Sequence, residues 1–67
     1  MFRNLEAEQK RRGLSNQQVA DILGISRATY ESKKKSGKFN RPQIIALLKL
    51  FNCNFYYLFF TENDRIG

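Results

Sequence analysis

Residues 14–38 constrain the fold most, because this segment contains the signals for two helices on either side of a tight turn. Ser15 stands three residues before Gln18, the spacing of a capping box in which the two side chains satisfy free backbone N–H groups. Gly24 suits the end of this first helix, since glycine enters the left-handed conformation at little steric cost. Ser26 can cap a second helix at once. The segment therefore predicts two helices, joined by about three residues and crossing steeply.

Apolar spacing and caps predict three more helices. The expected helices are 2–12, 16–23, 27–35, 41–51 and 55–59, which gives an all-α, compact five-helix domain over 1–60 and a polar tail over 61–67. Asn40 is the expected cap of the fourth helix, and Asn54 that of the fifth. The main core stripe is expected on the fourth helix, at Ile44, Leu47, Leu48 and Phe51. Tyr30 is expected to point inward from the third.

The inner side of the first helix begins with Phe2 and Leu5 but continues with polar residues, first among them Glu8. Two interpretations are open. Either this turn of the helix lies on the surface, or Glu8 is buried against a specific partner. In either case Glu8 and Arg12 are four residues apart and can pair across one helical turn.

Composition excludes several classes of function. The net charge is 12 − 6 = +6 over 67 residues, which suits a polyanionic partner. There is no histidine and one cysteine, Cys53, so the sequence predicts no metal site, no cofactor, no small-molecule ligand and no catalytic constellation. The longest apolar run, 55–60, is far short of the ~20 residues of a membrane span, so we expect a cytoplasmic protein.

Five features together carry a family resemblance: the small Ala20, the turn glycine Gly24, the apolar Ile25, the Ser26-Arg27 start of the third helix, and Thr29. They resemble the helix-turn-helix of the lambdoid-phage repressor and Cro family, also called the Xre family, and the similarity runs over about 2–60. The resemblance implies a phage or prophage Cro-like repressor that binds a palindromic operator in double-stranded DNA as a homodimer. The alternative is a protein-interaction module, such as an antitoxin or anti-repressor.

In this family the third helix enters the major groove. By resemblance, the base-reading positions are Arg27, Ala28 and Ser32. Arg27 can donate two hydrogen bonds to one guanine, or it can contact a phosphate instead. Ala28 offers a methyl for thymine. Glu31 either accepts from a cytosine amino group or pairs with a lysine such as Lys34 or Lys35.

Phosphate contacts are expected around this helix, because they fix the register while base contacts specify the sequence. The start of the second helix offers free N–H groups, and either Asn16 or Gln17 stands where the family usually has a contacting glutamine. The candidate phosphate ligands are Asn16, Gln17, Lys33, Lys35, Lys38, Asn40 and Arg41. Lys33 and Lys34 fall at the next inward positions of the third helix, and Lys33 can lay its stem on the core.

The run 55–60 is too rich in aromatic residues for one face of a one-turn helix. Exposed apolar patches usually mark an interface, so we expect a two-fold dimer in which Phe55, Tyr56, Phe59 and Phe60 meet their copies. The competing interpretation is that the additional rings close a small core.

Overall fold

The computed structural model describes residues 2–61, and their regular structure is entirely helical. The helices are α1 (Arg3–Arg11), α2 (Asn16–Leu23), α3 (Arg27–Ser36), α4 (Arg41–Phe51) and α5 (Phe55–Leu58). The all-α, five-helix prediction is confirmed, with ends that differ by one residue in α1, α3 and α5. The predicted tail falls, beyond Thr61, outside the described residues.

Local capping explains where these helices begin. Ser15 and Gln18 form the expected capping box at α2. Asn40 forms a second capping box with Gln43 at α4, and the Asn54 side chain accepts the backbone N–H of Tyr57 at α5. Each cap satisfies a backbone N–H that the helix itself leaves without a partner. Sequence-local chemistry therefore sets the starts of α2, α4 and α5.

The core lies where the helices converge. Its buried apolar residues are Phe2, Leu5, Val19, Ala20, Tyr30, Phe39, Leu47, Phe51 and Leu58. From the predicted α4 stripe, Leu47 and Phe51 are fully buried, while Ile44 and Leu48 are partly buried and pack against the cluster. The sequence interpretation missed Phe39, which lies in the loop after α3. Its ring is 6.3 Å from that of Phe2 and 5.9 Å from that of Phe59.

The structure decides between the two interpretations of Glu8. Its side chain is 6% exposed and pairs with both Arg11 and Arg12. The Tyr57 hydroxyl donates a hydrogen bond of 2.8 Å to the same carboxylate. Glu8 is therefore buried against specific partners, and it joins the end of α1 to α5.

Arg12 carries this connection further. One terminal nitrogen of its guanidinium donates to Glu8, while the other donates to the carbonyl oxygen of Phe51 at 2.7 Å. The guanidinium carbon also lies 5.4 Å from the centroid of the Phe51 ring. The side chain thus satisfies a carbonyl at the end of α4 that the helix leaves free.

Helix α5 is fixed to α1 along its length. The Asn4 side chain donates to the carbonyl oxygen of Tyr57 at 2.8 Å, and Leu58 is fully buried. Within residues 2–61, no helix combines the length and the apolar character needed to cross a bilayer.

Candidate nucleic-acid interface

The turn between α2 and α3 positions the candidate reading helix. Gly24 ends α2 with φ +75°, in the left-handed region, and the backbone N–H of Ile25 donates to the Ala20 carbonyl at 3.0 Å. The Ser26 hydroxyl then accepts the backbone N–H of Thr29 at 3.1 Å. Because three residues connect the helices, α3 starts directly against α2, with the fully buried Ala20 at their junction.

The first turn and a half of α3 presents the side chains expected to meet DNA. Arg27, Ala28 and Ser32 are exposed, and the Arg27 side chain is 64% exposed. Tyr30 points the other way and is fully buried, as expected. Of the four predicted base-reading residues, Arg27, Ala28 and Ser32 are thus exposed, while Glu31 is half-buried.

Glu31 is held differently from the sequence interpretation. Its carboxylate accepts a hydrogen bond of 2.9 Å from the side-chain amide of Asn16 and lies 3.8 Å from Nε of Arg27. The expected pairing with Lys34 is wrong, because the Lys34 ammonium contacts Glu6 at 2.9 Å and Asn16 at 2.9 Å. Glu31 therefore bridges the start of α2 and the start of α3.

Asn16 lies at the centre of a polar network between α1, α2 and α3. Its Oδ1 accepts from Nε2 of Gln9 at 2.9 Å and from Nζ of Lys34 at 2.9 Å, while its Nδ2 donates to Glu31. Gln9 in turn accepts the Tyr30 hydroxyl at 2.7 Å. Burial raises the pKa of Tyr30, with a further contribution from Glu6, so this hydroxyl stays protonated and can donate.

Of the two lysines expected at inward positions, Lys34 is the more deeply buried. The Lys34 side chain is 7% exposed and its ammonium lies 4.8 Å from the centroid of the Tyr30 ring. Lys33 is half-buried and donates to the Lys38 carbonyl at 3.0 Å, which ties the end of α3 to the following loop. A cleft of about 200 Å³ opens beside Lys34, lined also by Glu6, Asn16, Glu31 and Lys35.

The other predicted phosphate ligands lie around α3 and differ in the hydrogen bonds that their side chains already make. Lys35, Lys38 and Arg41 are exposed. The Gln17 side chain is exposed and donates to Asp21 at 2.8 Å. Asn40 is exposed too, but its side-chain oxygen caps α4 by accepting the backbone N–H of Gln43.

Four of the five described helices, α2 to α5, have no acidic residue in the first turn, so no carboxylate there offsets the positive end of the helix dipole. Arginine occupies the first helical position of α1, α3 and α4, as Arg3, Arg27 and Arg41. A cation there opposes the helix dipole and is unfavourable in an isolated domain. The arrangement produces a surface suited to an anion.

Helix α5 divides its aromatic residues between the core and the surface. Tyr56 is 85% exposed, and Phe55 and Phe60 are 45% and 42% exposed. Phe59 is half-buried, with its ring 5.1 Å from that of Phe2. Of the four residues predicted at a dimer interface, Phe59 thus also supports the core.

Comparison with known families decides the classification. Residues 7–51 match the model of the antitoxin Xre-like helix-turn-helix domain, which is about two thirds of the chain and includes all of α2, α3 and α4. The chain belongs to this Xre-like family. No curated protein and no solved structure matches it.

Membership makes this a helix-turn-helix domain of a DNA-binding type, with α2 and α3 as the motif. The predicted Xre-family resemblance is confirmed. The match ends with α4, so the aromatic helix α5 lies outside the part of the Xre-like domain that the family model describes.

Proposed function

We propose that this Xre-like domain is a transcriptional regulator that recognises a specific sequence in duplex DNA by inserting α3 into the major groove. The observation that carries the proposal is the exposed face of Arg27, Ala28 and Ser32 beside helix starts without acidic residues. A helix fits the major groove, where each base pair presents a distinct pattern of donors and acceptors. Occlusion of a promoter is the simplest mechanism of repression, as in a Cro-like protein of a phage or prophage.

Each element of this surface has a role in the proposal. Arg27 donates to a guanine and Ala28 contacts a thymine methyl, while Ser32 adds a hydroxyl. Contacts to the phosphates come from two groups of residues on either side of α3. The first group is Asn16 and Gln17 at the start of α2. The second group lies in the last turns of α3 and in the residues that follow it, and consists of Lys33, Lys35, Lys38, Asn40 and Arg41.

Two substitutions separate base reading from phosphate binding. Arg27→Ala should cost about 1–3 kcal/mol on the preferred duplex and remove the preference at one base position. Lys38→Ala should weaken binding to every duplex alike and reduce the slope of log K against log salt by about 1. Selection from a random duplex pool gives the preferred sequence, and titrations at several salt concentrations give the slopes.

Arg27→Lys is the matched control, because it keeps the charge but loses the bidentate donor pair. It should retain most of the affinity for random duplex while it loses discrimination. If Arg27→Ala and Lys38→Ala reduced specific and random binding by the same factor, Arg27 would be a phosphate ligand.

We also propose a homodimer through α5, with Phe55, Tyr56, Phe59 and Phe60 at the interface. The exposed rings of Phe55 and Tyr56 on α5, and of Phe60 just after it, form an apolar patch that a second copy can cover. A two-fold axis there would present two α3 helices to half-sites about one DNA turn, ~34 Å, apart.

A charge placed in the patch tests the dimer. Tyr56→Glu should give a monomer in sedimentation while the fold is retained, because Tyr56 is 85% exposed. Ile22→Glu is the control, since Ile22 is an exposed apolar residue on α2 at 52% and should leave the mass unchanged. A wild-type mass that stays monomeric up to tens of micromolar would contradict the dimer.

The second candidate function is that of an antitoxin, in which the aromatic patch holds another protein. The description of the family model and the exposed rings of α5 favour it. The two functions differ in their response to DNA. Strongly salt-dependent binding to short duplexes supports the regulator, whereas no duplex binding together with capture of a partner by the patch supports the antitoxin.

A further inference from the structure

We propose that Asn16 sets the base preference of the domain without reading a base, because it orients Arg27 through Glu31. The inference rests on the proposed function, in which Arg27 contacts a base edge. It assigns to Asn16 a positioning role in addition to the phosphate contact expected at the start of α2.

The argument starts from the freedom of Arg27. An arginine whose side chain is 64% exposed has many accessible rotamers, and fixing them in the complex costs conformational entropy. Bidentate donation to guanine also requires the guanidinium plane to lie in the plane of the base. A partner that restricts the guanidinium beforehand therefore favours the correct base over the others.

Glu31 is that partner. Its carboxylate lies 3.8 Å from Nε of Arg27, and this ion pair restricts the directions that the guanidinium can take. A carboxylate that is 43% exposed would itself be mobile without a further restraint. The 2.9 Å hydrogen bond from Asn16 supplies the restraint from another helix.

The orientation of the Asn16 amide is determined by its neighbours. Its oxygen accepts from Gln9 and Lys34, both donors, so its nitrogen must face Glu31. Lys34 in turn is fixed by Glu6 of α1 and is 7% exposed. The position of Arg27 is therefore connected through Glu31 and Asn16 to the first helix.

One near-isosteric substitution breaks this connection at a single point. Asn16→Asp keeps an oxygen for Gln9 and Lys34 but replaces the donor that faces Glu31 with a negative oxygen. The two carboxylates then repel, and Glu31 loses its restraint. Because Lys34 gains an ionic partner, we expect the domain to keep its fold, which a thermal unfolding scan checks.

Gln17→Glu is the matched control. It adds the same charge at the next residue of α2, where the side chain is exposed and contacts Asp21 instead of the network. Both variants should bind random duplex more weakly, since each adds a negative charge near DNA. Only Asn16→Asp should also reduce discrimination at the base position that Arg27→Ala flattens, by about three- to tenfold.

Glu31→Gln gives a second, independent reading. It removes a negative charge, so binding to random duplex should strengthen, yet discrimination at the same base should fall because Arg27 loses its ionic partner. Opposite effects on random binding with the same effect on base preference would separate positioning from general electrostatics. If Asn16→Asp showed no unfolding transition, Glu31→Gln alone would decide.

A double variant completes the test with the selected duplex and its three single-base alternatives at the Arg27-dependent position. In the Arg27→Ala background, Asn16→Asp should change discrimination no further. Loss of preference in Arg27→Ala with normal preference in both Asn16→Asp and Glu31→Gln would overturn the inference and leave the proposed function intact. An Arg27→Ala variant with unchanged preference at every position would instead overturn base reading by Arg27.

Discussion

Two glutamates, Glu8 and Glu31, each pair with an arginine one helical turn away, but the order along the chain is reversed. In α1 the acid precedes Arg12, whereas in α3 Arg27 precedes the acid. The first order agrees with the helix dipole and the second opposes it. The pair in α1 therefore favours its helix more than the pair in α3 does.

Burial separates the pairs further. The Glu8 side chain is 6% exposed and has three donors, from Arg11, Arg12 and Tyr57. Glu31 is 43% exposed and lies 3.8 Å from an arginine that is itself 64% exposed. The buried carboxylate of Glu8 therefore contributes to the stability of the fold, whereas an exposed ion pair such as Arg27–Glu31 adds little to it.

Removal of each carboxylate should give the largest contrast in stability. Glu31→Ala should lower the free energy of unfolding by less than about 1 kcal/mol, the usual range for an exposed ion pair. Glu8→Ala should lower it more, because it removes the carboxylate that accepts from Arg12 of α1 and from the Tyr57 hydroxyl of α5 and so joins the two helices. Urea unfolding of the two variants measures both changes.

Ala7→Ser, an exposed change on the same helix, controls for the effect of substitution in α1 as such. It should unfold close to the wild type. Equal losses for Glu8→Ala and Glu31→Ala would show that the two pairs do not differ in the way their burial implies.

The helix-turn-helix could be predicted from sequence because its determinants are local. The capping box at Ser15, the glycine that ends α2 and the Ser26 cap each act within a few residues. These features fix the start of α3 and hence the exposure of Arg27. The exposure of Arg27 was therefore predictable before any tertiary contact was known.

The network behind that face could not be predicted in the same way. Asn16 and Glu31 are fifteen residues apart in sequence, so no helical spacing relates them. Lys34 pairs with Glu6 of another helix, a contact that no spacing within α3 predicts. The sign of this network in the sequence was the polar inner side of α1. The partners of those polar residues can be identified only from the packing of α1 against α2 and α3.

Phe39 and Glu8 show the same limit. Phe39 is one apolar residue in a polar loop. It packs against the rings of Phe2 and Phe59, which lie far from it and from each other in sequence. Glu8 had two possible environments until α5 placed Tyr57 next to it. In each case the deciding partner is distant in sequence.

The smallest expected effect concerns the pH dependence of the Glu8 cluster. The Tyr57 hydroxyl, followed by Arg12, holds the pKa of the Glu8 carboxyl below its usual range. A carboxyl whose pKa is lower in the folded state adds stability above its unfolded pKa and loses it as pH falls through the folded pKa. Tyr57→Phe removes the leading cause, so the pKa of Glu8 should rise towards its ordinary value.

Carbon NMR of the Glu8 carboxyl measures this shift directly, and acid unfolding of Tyr57→Phe should begin at a higher pH than in the wild type. Tyr56→Phe is the matched control, since it removes the same hydroxyl from the adjacent, 85% exposed residue and should leave the titration unchanged. An unchanged pKa in Tyr57→Phe would mean that the arginines alone hold the Glu8 charge. The cluster would then depend on α1 itself, and α5 would be free to separate from it without a cost in acid stability.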